Sequence, residues 1–244
     1  MLAVEGLCKK YDGFEAVSNL SFDVQPGEIL GLVGPNGAGK TTTLRTMAGI
    51  LPPTAGLVRI CGHDLKTDAV EAKRQMAFIP DEPRLFDYLT VAEHLQFIGR
   101  IYRVADAAPA AAKLLEELEL SDKVRALPGE LSRGMKQKLA IACGLLHDPR
   151  VILFDEPLTG LDPVGIRRMK DSIATRAATG AAIIVSSHLL HLVQELCHRV
   201  LVLQGGRKIA HGTLEEIKAA APQLQADASL EDVFLHVTTK GPGG

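Results

Sequence analysis

Gly34-Pro35-Asn36-Gly37-Ala38-Gly39-Lys40-Thr41 has the residue types and spacing of a phosphate cradle. It fits the pattern G-x-x-x-x-G-K-[ST]. Glycines at 34, 37 and 39 permit positive φ and let main-chain N–H groups close around phosphate oxygens. The helix expected to follow offers unpaired N–H groups and the positive end of its dipole. Lys40 supplies a cation for β- and γ-phosphates, and the Thr41 hydroxyl is a ligand for Mg²⁺. A glycine-rich turn that binds nothing is the plain alternative. The context argues against it: Glu28 to Val33 reads as a short buried strand and Thr41 to Gly49 as a helix, the arrangement the motif requires.

A second group of candidates sits at Asp155-Glu156. The apolar run Val151-Ile152-Leu153-Phe154 reads as a buried strand, and Asp155 at its end has the setting of a Mg²⁺-binding carboxylate. Glu156 beside it is placed to act as general base toward an attacking water. Adjacent acids at a strand end are commonly solvated surface; the phosphate loop tips the balance toward chemistry.

These residues need strands and helices to hold them. Leu2 to Lys9 and Val17 to Val24 read as strands joined by a turn at Asp12-Gly13, with further strands at Leu57 to Ile60 and Met76 to Ile79. Thr67 to Arg74 reads as helix. From Pro83 to about Pro149 the pattern turns helical. Thr90 caps one helix with Glu93 as its capping-box partner, a second covers about Pro109 to Leu118, and a third starts near Ser132. Met135, Leu139, Ala142, Cys143 and Leu146 share one face of that third helix, which reads as core packing. The mixed pattern then resumes: a helix from Pro163 to about Ala178, a strand at Ala181 to Ser186, a helix at Leu189 to Cys197 and a hairpin across Gly205-Gly206. Thr213 caps a short helix. The tail from Ala219 is weakly patterned apart from Leu230 to Val237, and Gly241 to Gly244 is expected to fray.

The expected fold is α/β: a phosphate-loop core with a largely parallel sheet, a small antiparallel β region and an inserted α-helical subdomain. Residues 1–82 and 150–220 form the discontinuous core, 83–149 the helical insertion and 221–244 a tail.

Composition bounds the rest. The chain has 244 residues, 46% of them hydrophobic, enough for a sizeable core. A net charge of -2 gives no nucleic-acid footprint. Cys8, Cys61, Cys143 and Cys197 form no C-x-x-C pair and read as reduced thiols packed as small core residues, which points to the cytosol. No apolar run approaches a membrane span, and the N-terminus lacks the features of a signal peptide.

Leu131-Ser132-Arg133-Gly134-Met135, Leu158 to Pro163 and Ser186-Ser187-His188 complete a series of motifs. Taken in order with the phosphate loop, the chain from Tyr11 to about His236 resembles the nucleotide-binding subunit of an ABC transporter. The resemblance implies ATP and Mg²⁺ as cofactors. It implies that Tyr11 stacks on adenine, that Gly34 to Thr41 hold the phosphates with Thr42 beside them, and that Asp155 holds Mg²⁺ with Glu156 as catalytic base. Ser132 and Gly134 match the signature loop that completes a second subunit's ATP site in a head-to-tail dimer. Asp162 matches the loop crossing that interface, and His188 the switch histidine at the γ-phosphate. The residues agree at the signature: Ser132 can cap the third helix, and Gly134 lets backbone approach an anion there.

Two departures stand out. Asp81 replaces the usual glutamine after the Met76–Pro80 strand, and Met135 replaces the glutamine that usually ends the signature. A carboxylate at 81 is a candidate Mg²⁺ ligand that also faces phosphate of the same sign. Both features resemble exporter-type branches. The leading expectation is an ATPase on the cytoplasmic face of a membrane, paired with a like or unlike nucleotide-binding subunit and a separate transmembrane permease. The alternative is a soluble ABC-type ATPase acting on ribosomes or DNA, whose members usually carry two nucleotide domains or a long coiled coil. An inactive binding module is a third reading, opposed by Lys40, Asp155, Glu156 and His188 all being present.

Overall fold

A computed structural model of the chain describes residues 1–219 and 228–239. β1 (Leu2–Tyr11) and β2 (Phe14–Val24) form a hairpin whose turn, Asp12-Gly13, has positive φ at both residues. β3 (Ile29–Val33) leads into α1 (Lys40–Met47). β4 (Ala55–Ile60), the two-residue β5 (His63–Asp64), α2 (Ala69–Arg74) and β6 (Met76–Ile79) follow. Three helices come next: α3 (Val91–Tyr102), α4 (Ala107–Glu117) and α5 (Arg133–Leu145). Then come β7 (Val151–Asp155), α6 (Pro163–Ala178), β8 (Ala182–Ser186), α7 (Leu190–Leu196), β9 (Arg199–Gln204), β10 (Arg207–Gly212), α8 (Leu214–Ala219) and α9 (Leu230–Thr239).

The strands form two sheets. The larger has the order β10-β9-β3-β8-β7-β6, parallel from β9 to β6 with β10 antiparallel at one edge. The smaller is antiparallel, in the order β2-β1-β4-β5. A parallel sheet must be covered on both faces, and its strands show it. In β7, Ile152 and Phe154 face the cluster that includes the leucines of α4 and α5, while Val151 and Leu153 face α1 and the antiparallel sheet. β8 repeats the division, with Ile183 and Val185 on one side and Ala182 and Ile184 on the other. The helical insertion therefore has no separate core: Leu115, Leu131 and Leu139 belong to the same cluster as Ile152 and Ile183.

Sequence signals set the helix ends. Thr90 accepts from the Glu93 N–H while the Glu93 carboxylate accepts from the Thr90 N–H, the expected capping box. Asp162 caps α6 through the Gly165 N–H at 2.8 Å, with Pro163 at the first helical position. On α5 and at its C-cap, Leu139, Ala142 and Leu146 are buried as expected, while Met135 and Cys143 pack against that core only partly buried. The four cysteines are free thiols of intermediate exposure, and burial pushes Cys143 and Cys197 up to about 12. The strand β5 escapes sequence pattern because it has only two residues. Gly241 to Gly244 lie outside the described residues, as do 220–227. Among the described residues no helix is long and apolar enough to cross a membrane.

Phe154 on β7 is fully buried, so Phe154→Ala should destabilise the chain by ~3–5 kcal/mol. Thr90→Ala, which removes one cap, should cost only ~1 kcal/mol. Urea unfolding midpoints of the two variants test this order.

Candidate functional site

The carboxyl ends of β3, β7 and β8 come together at one place. β3 runs into the glycine loop, and close packing explains its composition. A Cβ on Gly34 would stand 2.4 Å from the Leu203 carbonyl oxygen, and one on Gly39 would stand 2.5 Å from that of Ala16. Gly39 also has φ +101, which other residues rarely adopt. Gly37 faces open space. The loop is tied to its neighbours by Ala38 N–H to the Pro35 carbonyl and Gly206 N–H to the Ala38 carbonyl. Lys40 is 8% exposed and donates from Nζ to the Gly34 carbonyl at 2.7 Å and the Pro35 carbonyl at 3.3 Å. Burial pushes its pKa down, and the carboxylates of Glu156 and Asp155 oppose that.

β7 and β8 supply the acidic side. Asp155 is 2% exposed and lies opposite Ser186 in the sheet. Its Oδ1 accepts from Ser186 Oγ at 2.8 Å and from Thr41 Oγ1 at 3.2 Å. The adjacent hydroxyl and carboxylate are hard oxygen donors of the kind a small divalent cation prefers. No group of three or more His, Cys, Asp or Glu among the described residues could hold a metal alone. That donor set fits Mg²⁺, which takes one or two protein oxygens and completes its shell with phosphate and water.

Glu156 has φ +52, unusual outside glycine. Its N–H is held by the Ser186 carbonyl at 3.2 Å and Ser186 Oγ at 3.0 Å. Its Oε2 lies 2.9 Å from His188 Nδ1, which must donate if Glu156 is a carboxylate.

A cavity of about 510 Å³ opens between these elements. Asn36, Gly37, Ala38, Gly39, Lys40, Thr41 and Thr42 line one side; Asp81, Glu156 and His188 line the other. Of the residues the sequence singled out, Gly34 and Pro35 stand behind the loop as acceptors for Lys40, and Asp155 beneath Thr41. Tyr11 does not line the cavity: its ring, 41% exposed, is capped by Lys9 Nζ at 4.9 Å. Phe14 across the hairpin lines it instead, 65% exposed. Ser132, Gly134 and Asp162 are also away from this cavity. Ser132 Oγ caps α5 through the Met135 N–H at 3.2 Å, and Gly134 packs against the Gly160 carbonyl. Asp81 pairs with Arg133 at 3.5 Å. Sequence reasoning did not foresee that Ser186 would bond both acids or that Phe14 would line the cavity. Alignment of Ser186 with the end of the Asp155 strand is the signal that could have found the first.

The family model described as ABC transporter matches residues 17–159. Over 224 residues the chain is 43% identical to the Nod factor export ATP-binding protein I of Burkholderia pseudomallei (strain 1710b), covering 91% of this chain and 71% of that one. A solved ATP-binding subunit of an ABC transporter superposes with a TM-score of 0.93 at 33% identity, over 98% of this chain and 99% of that one. A dimeric ATP-binding cassette in a post-hydrolysis state, bound to ADP and Pi, gives a TM-score of 0.81 at 25% identity, over 88% and 99%.

Ser186 Oγ reaches both acids, so Ser186→Ala should loosen Asp155 and leave the Glu156 N–H with the Ser186 carbonyl as its acceptor. Metal supports of this kind typically contribute ~10–100-fold in affinity or activity. The expected result is at least a ~10-fold rise in the Mg²⁺ concentration needed for ATP binding, read by titration with a fluorescent ATP analogue.

Proposed function

The chain belongs to the ABC transporter family, and on that premise we propose that it is the ATP-hydrolysing subunit of an exporter, acting as a head-to-tail dimer on a separate transmembrane permease. ATP with Mg²⁺ is its cofactor. The observation that carries the reading is the Glu156 carboxylate, 15% exposed and anchored by His188 on the cavity that Lys40 and Thr41 line.

Bound Mg²⁺·ATP supplies the phosphoanhydride and the charge neutralisation that its hydrolysis needs. Lys40, now on the Gly34 and Pro35 carbonyls, would supply the cation for the β- and γ-phosphates. The N–H groups of Gly37 to Thr42 hold the phosphates, with Asn36 at the rim. Thr41 and Asp155 are the proposed metal ligands, and Asp81 on the far wall is a third candidate oxygen. Glu156 takes the proton of the attacking water, and His188 keeps its carboxylate aimed. Phe14 offers an aromatic face for the base, with Tyr11 at the other end of the hairpin turn. Ser132, Gly134 and Asp162 are assigned to the partner subunit's nucleotide, which fits their distance from this chain's own cavity. Residues 83–149 are assigned as the helical subdomain inserted in a core of 1–82 and 150–220.

The 84–89 segment is the proposed permease contact. Phe86 N–H donates to His94 Nε2 at 3.0 Å, and the Phe86 ring meets Phe97 edge-on at 5.3 Å. His94 is buried and bonds the Thr90 carbonyl through Nδ1 at 2.8 Å. The segment is thus pinned from beneath, yet Tyr88 is 92% exposed and Phe86 54%. Large aromatic groups held outward by a rigid base suit a partner surface. A cytoplasmic site against the membrane follows from that contact. The exporter assignment is supported by the likeness to an export ATP-binding protein. No long coiled coil of the ribosome- or DNA-acting kind lies between β6 and β7, where α3, α4 and α5 have 12, 11 and 13 residues.

Glu156→Gln should keep ATP binding and lower turnover by ~10²–10⁴-fold. Steady-state phosphate release beside equilibrium ATP binding tests it, and near-normal turnover would overturn the assignment of the base. Replacing Phe86 and Tyr88 together by Ser should abolish recovery of the chain with membranes while ATPase activity of the purified chain persists. Loss of both at once would instead make the segment an internal anchor.

A further inference from the structure

The start of α5 grips the end of β6 at two points. Gln137, 3% exposed, donates from Nε2 to the Pro80 carbonyl at 3.1 Å. One turn earlier, Arg133 Nη2 lies 3.5 Å from Asp81 Oδ1. The two contacts differ in kind. The Gln137 bond is shielded from water, and breaking it would leave polar atoms unpaired. The Arg133–Asp81 pair is open to solvent, with side chains 65% and 39% exposed, and pairs of that sort are weak. One contact is a fixed joint and the other can be exchanged.

Arg133 also runs along the loop before α6. A Cβ on Gly160 would lie 3.7 Å from its Nε, and one on Gly134 would lie 3.4 Å from the Gly160 carbonyl oxygen. Asp81, its partner, lines the ATP cavity of its own chain. Arg133 therefore joins the wall of that cavity to the segment assigned to the partner subunit's nucleotide.

We propose that Arg133 is a positioning residue that couples the two ATP sites of the dimer: Asp81 holds it until ATP and its cation enter the same chain's cavity, and its release lets residues 132–134 engage the partner's nucleotide. This rests on the dimer reading above. The Asp81 carboxylate has two possible cations, the Arg133 guanidinium and the divalent ion that accompanies ATP. A hard divalent ion prefers charged oxygen ligands, whereas a solvent-exposed ion pair holds weakly, so the exchange runs toward release. The freed side chain keeps a positive charge that suits phosphate oxygens. Gln137 meanwhile keeps α5 attached to β6, so what moves is the helix start. A neutral amide at position 81 could not pair with Arg133 by charge, so the coupling depends on the acid this chain carries there.

The test is the ATP concentration giving half-maximal dimer at saturating Mg²⁺, measured by analytical ultracentrifugation of the full chain. Asp81→Asn releases Arg133 in advance and should lower that midpoint by roughly two- to fivefold, the range expected of an exposed ion pair. The Hill coefficient of ATP hydrolysis should fall toward 1 in the same variant. Arg133→Lys, which keeps the charge, should retain wild-type midpoint and cooperativity. In an Arg133→Gln background Asp81→Asn should shift nothing further. An equal shift with and without Arg133→Gln would overturn the coupling, because Asp81 would then act on the metal alone. A wild-type chain that forms no dimer with ATP would overturn the dimer reading itself, and the coupling with it.

Discussion

The pairing of β7 with β8 sets Asp155 opposite Ser186, and the pairing of β8 with β3 sets Ser186 beside Leu32, two residues before the glycine loop. The chemistry depends on that register. Side chains alternate between faces along a strand, so a one-residue slip would turn Asp155 away from Thr41. Both faces of this sheet are apolar, so the carboxylate would also enter a core without a partner. The register is held by Ile152 and Phe154 on one face and Val151 and Leu153 on the other, none of which touches a phosphate. Packing that looks purely structural thus fixes where two oxygens stand.

The site concentrates constraint where it is used. Glu156 carries positive φ, which costs about 1 kcal/mol for a residue with a Cβ. Two hydrogen bonds donated by its N–H, both to Ser186 oxygens, offset that and leave the carboxylate free to meet His188. Lys40 is handled likewise. Burial disfavours its charge, the two neighbouring carboxylates favour it, and two carbonyls hold it at the loop. Each group is held by partners that can be exchanged for phosphate or water without dismantling the sheet.

Much of this was legible because it is local in sequence. The glycine loop, the Thr90–Glu93 capping box and the Pro163 helix start each lie within a few residues, and each formed as expected. The sheet followed from apolar runs too short for helices and too continuous for a half-exposed face. What escaped involves residues that meet only through the fold. Nothing near Asp81 points to Arg133, nor anything near Phe86 to His94 as a buried support rather than a surface histidine. Tyr11 and Phe14 are both aromatic and nearly adjacent. Their order at the cavity depends on the twist of a hairpin, and periodicity carries no information about that. The leucines of the helices within 83–149 close one face of the sheet, a contact that the helical periodicity of that stretch does not announce.

That the central strand waits for distant partners has a consequence for how the chain is made. The Ile29 N–H at the start of β3 bonds the His198 ring, 169 residues downstream. At a synthesis rate of ~5–20 residues per second, β3 leaves the ribosome on the order of ten to thirty seconds before that partner exists. Over that interval an apolar strand with two open edges must avoid pairing with other chains. β1, β2 and β4 meet within the first sixty residues and share a hydrophobic cluster with β3. The antiparallel sheet can cover one face of β3 as it emerges, serving nascent folding as a shelter before it serves the finished protein as a wall.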